Sequence, residues 1–109
     1  MKNTLGKIID YAARIADPEE IVLFGSMSTG KVNWYSDVDL LIVSDNPAVK
    51  KEVAARIISF SRELSLKSDV LICSKSEIER ETQKPNSFIA AIIKSGKIVY
   101  EKRREYLKK

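Results

Sequence analysis

Two uninterrupted apolar runs of four residues each, Ile21-Val22-Leu23-Phe24 and Leu40-Leu41-Ile42-Val43, govern how this 109-residue chain can fold. Runs of this length, rich in branched side chains, read as buried strands and fall far short of the ~20 residues that span a bilayer. Gly25 stops the first run, and Asp37 opens the second strand, 37–43. Only the small and polar residues 25–36 lie between them, so the two strands are expected to be antiparallel neighbours. A helical turn over Ser26 to Thr29 fits that connection.

Helical stripes surround these strands. Leu5, Ile8, Ile9, Ala12, Ile15 and Ala16 recur at helical spacing until Asp17-Pro18. Asp45-Asn46-Pro47 is a cap with proline at the first helical position, followed by a stripe of Val49, Val53, Ile57, Phe60 and Leu64. Val70-Leu71-Ile72 reads as a third strand, ended by Cys73 in an inert, buried setting. Ser74 and Glu77 fit a capping box opening a short helix, which Lys84-Pro85 breaks. Phe88, Ile89, Ile92 and Ile93 mark another helix, ended by Ser95-Gly96, and Ile98-Val99-Tyr100 makes a last strand. The order α-β-(turn)-β-α-β-α-α-β predicts an α/β (α+β) domain, a small mixed sheet flanked by helices. The helix between the second and third strands permits a parallel crossover.

Composition removes whole reaction classes. There is no histidine, so a Ser-His-Asp triad, a Cys-His dyad and histidine-ligated zinc or haem are excluded. Cys73 is the single cysteine, which excludes disulfide frameworks, cysteine-rich zinc sites and iron–sulfur clusters and suits a reducing compartment. The N-terminal residues lack the apolar stretch of a signal peptide, so a cytoplasmic protein with no membrane partner is expected. The net charge of +4 comes from residues 102–109, which hold five basic residues and one acid; taking them out of 19 Lys+Arg and 15 Asp+Glu leaves 14 of each. We therefore read one domain over 1–101 with a basic tail over 102–109, and any direct nucleic-acid binding would rest on that tail.

Catalysis must then rest on carboxylates, hydroxyls, lysines and a metal. Asp37 and Asp39 sit on one face of a strand, their Cα atoms roughly 6.5 Å apart. Asp69, opening the third strand, joins them if that strand runs parallel to the second. Carboxylates ~4 Å apart repel by about 4 kcal/mol near a protein surface. A cluster of this kind takes up protons or binds a cation; oxygen-only ligands suit Mg²⁺, and three carboxylates can hold two such ions. Gly25 lets backbone approach a ligand closely, and Ser26 offers a hydroxyl and free N–H groups to a phosphate oxygen. The bland readings are an exposed strand start, a turn aspartate and a capped glycine turn. Trp34 and Tyr35 pack on the body or stack on a base or partner.

Gly25-Ser26, ten residues, then Asp37-Val38-Asp39 resembles the signature of the DNA polymerase β-like nucleotidyltransferases. In length and element order the chain is most similar to the minimal nucleotidyltransferases. The likeness extends from Ile21 through Ser68-Asp69-Val70 to Lys94-Ser95-Gly96-Lys97-Ile98-Val99-Tyr100-Glu101. A P-loop start, Gly25-Ser26-Met27-Ser28-Thr29-Gly30-Lys31, competes, but Val32 stands where a Ser or Thr must reach the metal.

The resemblance implies that Gly25 and Ser26 hold the β- and γ-phosphates of a nucleoside triphosphate, ATP. Asp37, Asp39 and Asp69 would bind Mg²⁺, two ions in all, and Asp69 would draw the proton from the acceptor hydroxyl. A nucleoside monophosphate would be transferred and pyrophosphate released. Many relatives carry an arginine after Gly-Ser; here Met27-Ser28-Thr29-Gly30 follows, and Lys31 is the nearest cation. Larger relatives hold the acceptor with a second domain, for which this chain leaves no room. Minimal nucleotidyltransferases are commonly paired with a HEPN-domain toxin, and in some pairs the antitoxin transfers AMP to a toxin tyrosine. That role is the leading expectation. A non-catalytic module that masks its partner, transfer to a small molecule, and a homo-oligomer stay open.

Overall fold

The computed structural model describes residues 2–25, 38–45 and 50–102, with the side chains of 2 and 3 left aside. Its elements follow the expected order: α1 (Lys2–Ala16), β1 (Glu20–Phe24), β2 (Val38–Val43), α2 (Lys50–Glu63), β3 (Ser68–Cys73), α3 (Lys75–Thr82), α4 (Phe88–Ser95) and β4 (Lys97–Glu101). The cap at Asn46-Pro47, the turn from Ser26 to Thr29, and residues 103–109 of the basic tail lie outside the described residues.

Helix ends follow local chemistry. Helix α1 stops where Asp17 turns left-handed (φ 45°) just before Pro18, and the Asp17 N–H donates back to the Ala13 carbonyl. Helix α2 ends in a left-handed Ser65 (φ 65°), with the Leu66 N–H donating to the Ser61 carbonyl at 2.9 Å. That six-to-one bond is the mark of a Schellman ending, here built without glycine. Helix α3 opens with the capping box: Ser74 Oγ accepts from the Glu77 N–H, and Glu77 accepts from the Ser74 N–H.

The sheet order is β3-β2-β1-β4. Strand β1 pairs antiparallel with β2 and with β4, whereas β2 and β3 run parallel, joined by the helical crossover that parallel pairing needs. Side-chain alternation gives the sheet two apolar faces. Ile21 and Leu23 of β1 and Val38, Leu40 and Ile42 of β2 face α1 and α2, which supply Ile8, Ala12, Val53 and Ile57. Val22 and Leu41 face the opposite way, onto Ile92 of α4. The stacked rings of Tyr11 and Phe60, 4.4 Å apart, join α1 to α2.

One expectation needs correction. Strand β3 is an edge strand whose residues are half-buried or exposed, so Cys73 ends a half-buried strand rather than a buried one. Burial still pushes its thiol pKa up, with the nearby Glu77 charge adding to the effect. Lys102, counted with the tail, is tied to the body: its N–H donates to the Glu19 carbonyl, and its ammonium meets Asp17 at 2.9 Å. Among the described residues no helix is long and apolar enough to cross a membrane.

Candidate active site

The pairing pattern brings three chain segments to one rim of the sheet: the end of β1 and the starts of β2 and β3. In the parallel ladder Asp39 stands directly opposite Asp69. Both are odd-numbered residues of their strands, as are Leu41, Leu71 and Cys73, so both carboxylates rise on the face that α4 covers deeper in the sheet. Asp39 is half-buried and Asp69 is exposed.

Two contacts hold the start of β3 in place. The Val38 N–H donates to the Lys67 carbonyl at 2.9 Å, which carries the ladder out to the rim. On the other face, the fully buried Ser61 hydroxyl of α2 lies 2.6 Å from the Ser68 hydroxyl and donates to the Ile58 carbonyl. Ser68 facing α2 turns its neighbour Asp69 to the opposite side.

Phe24 is the antiparallel partner of Asp39, so Gly25 comes to lie against the Asp39 carboxylate. Its φ is +78°, and a Cβ at this position would sit 3.2 Å from Asp39 Cγ and run into the carboxylate oxygen Oδ2. Glycine is therefore demanded twice, by backbone conformation and by the space the carboxylate occupies.

Of the residues singled out in the sequence, the structure brings together Gly25, Asp39 and Asp69. Asp37, Ser26 and Lys31 lie outside the described residues, as do Trp34 and Tyr35. Among the described residues no group of three His, Cys, Asp or Glu surrounds one point. The donor set at the rim is nevertheless of one kind, hard carboxylate oxygens from adjacent strands beside a backbone kept free of side chain. That chemistry fits a divalent cation such as Mg²⁺ carrying phosphate oxygens.

An aromatic pair borders this rim and was not distinguished in the sequence. Phe88, the first residue of α4, packs edge-to-face on Phe24 with ring centroids 6.0 Å apart and an interplanar angle of 84°. Phe88 is 64% exposed, whereas Ile92 one turn later is 3% exposed. Helical spacing alone assigns both to the same apolar stripe; Ile92 packs on Val22 and Leu41, whereas Phe88 meets Phe24 nearer the rim.

No curated protein matches the chain. Among solved structures, a protein of Sulfolobus solfataricus assigned as a nucleotidyltransferase superposes with a TM-score of 0.58 at 19% identity, over 94% of this chain and 81% of its own. A chain from the crystal structure of a toxin–antitoxin with AMP-PNP superposes with a TM-score of 0.56 at 20% identity, over 91% of this chain and 75% of its own. These two share the fold. The family model described as polymerase beta, nucleotidyltransferase matches residues 6–105, nearly the whole chain and all three rim segments. The chain belongs to the polymerase β nucleotidyltransferase family.

Proposed function

We propose that this protein is a Mg²⁺-dependent nucleotidyltransferase that moves AMP from ATP onto a hydroxyl of a partner toxin, a tyrosine of a HEPN-type toxin, and so acts as an antitoxin. The observation that carries this reading is the juxtaposition of the Asp39 and Asp69 carboxylates in register, with Gly25 closed against the first. The AMP-PNP in the toxin–antitoxin neighbour of the same fold supports it.

In this reading Asp37, Asp39 and Asp69 hold Mg²⁺, and the backbone at Gly25 and Ser26 receives the β- and γ-phosphates, with Lys31 the cation next along the sequence. Bound Mg²⁺ supplies the positive charge that offsets the triphosphate and the charge developing on its oxygens. Asp69 accepts the proton of the acceptor hydroxyl as its oxygen bonds to the α-phosphorus. The bond from that phosphorus to the bridging oxygen breaks, and pyrophosphate leaves with the electron pair. The protein's part is positioning and electrostatics, which dominate phosphoryl and nucleotidyl transfer. The single, half-buried thiol suits the reducing cytoplasm, where ATP is at hand.

The test is transfer of label from ATP to the cognate toxin in the presence of Mg²⁺. Asp39→Asn should lower transfer by about a hundredfold or more, by analogy with removing one preorganised electrostatic partner of a transition state. Equal labelling by wild type and Asp39→Asn would sink the reading. If Asp39→Ala still neutralises the toxin with no label transferred by wild type, the chain masks its partner instead.

A further inference from the structure

We infer that Phe88 is the shelf on which the base of the bound nucleotide stacks, an inference that rests on the nucleotidyl-transfer reading. The ring is 64% exposed although it packs on Phe24, which itself lies against the apolar cluster of Val22, Leu41 and Ile92. Its perpendicular contact with Phe24 leaves a π-face open. Phe24 is the residue before Gly25 and the register partner of Asp39 on the same sheet face, so the open ring borders the place where the phosphates sit.

The position also separates the base from the acceptor. Across the rim the order is Asp69 on β3, Asp39 on β2, then Phe24 on β1, against which Phe88 of α4 packs. Two strand spacings, about 10 Å, lie between Asp69 and Phe24, the partner of Phe88. An acceptor that gives its proton to Asp69 approaches from the β3 edge, so the ring belongs to the nucleotide's side of the reacting phosphorus.

Binding of a non-hydrolysable ATP analogue and of inorganic tripolyphosphate, each with Mg²⁺, tests this by calorimetry on the full chain. Phe88→Ala and Phe88→Leu should weaken the analogue about tenfold, within the range measured for base–aromatic stacking, and Phe88→Trp should restore it. Tripolyphosphate should bind all four proteins alike. The inference fails if Phe88→Ala binds the analogue as wild type does, if Phe88→Leu matches wild type, or if tripolyphosphate weakens in parallel. It also fails if wild type does not bind the analogue, or if Phe88→Ala raises only the acceptor KM, which would place the ring against the acceptor. A wild type that shows the stacking pattern yet transfers no AMP would remove the functional reading and leave the shelf standing.

Discussion

Substituting Gly25 by alanine tests how closely the end of β1 and the carboxylate of Asp39 are fitted. Two costs add in the wild-type background. An L-residue held at φ +78° costs about 1 kcal/mol. The new methyl would also stand 3.2 Å from Asp39 Cγ and overlap Oδ2, forcing the carboxylate off its rotamer for about another 1 kcal/mol. In an Asp39→Ala background the second cost disappears and the first stays. The expected outcome is a loss of about 2 kcal/mol for Gly25→Ala in wild type, about 1 kcal/mol in Asp39→Ala, and a coupling near 1 kcal/mol. Urea unfolding followed by far-UV circular dichroism measures all four proteins of the cycle, and each kcal/mol corresponds to about 4–8 °C in Tm for a chain of this size. If Gly25→Ala costs the same in both backgrounds to within ~0.4 kcal/mol, the two residues are independent and the close fit is wrong.

Two further predictions concern the scaffold. Glu77 accepts from the Lys50 ammonium and, within the capping box, from the Ser74 N–H, and these hold its pKa at about 2 against an ordinary 4.5. The folded state therefore gains stability from this group above pH ~4.5 and loses it as pH falls toward 2. With the Glu77 side chain 37% exposed, screening limits the gain to about 1 kcal/mol. Glu77→Gln should remove that share of the acid-limb slope in a pH series of urea midpoints, and an unchanged slope would count against the pairing. Separately, Ser65→Gly should stabilise the chain by about 0.5–1 kcal/mol, because the Schellman ending of α2 holds a serine left-handed; a lower urea midpoint would contradict this.

Much of this fold is legible in the chain because local signals agree. The runs Ile21–Phe24 and Leu40–Val43 are the two central strands, and the short connection between them makes their antiparallel pairing the economical one. Ser74 and Glu77 announce their helix through hydrogen bonds only three residues long. Harder to read are features set by what lies across the sheet. Val70-Leu71-Ile72 is as apolar as a central strand, yet it lies at an edge, because β4, which follows it in the chain, pairs with β1 instead. The Lys50–Glu77 pair joins residues 27 apart and has no sequence signature. At the site, the meeting of Asp39 with Asp69 follows from strand order, whereas the closure of Gly25 against the carboxylate and the exposure of Phe88 depend on side-chain packing that no spacing encodes.

The parallel register that sets Asp39 opposite Asp69 is the same one that turns Val70 and Ile72 toward the α2 side. A slip of one residue in β3 would invert every side chain, carrying the Asp69 carboxylate away from its partner and onto the apolar α2 side, where Val70 and Ile72 now pack. Misaligned chains are therefore also unstable ones. One alignment thus serves both the packing of β3 on α2 and the meeting of the two acids.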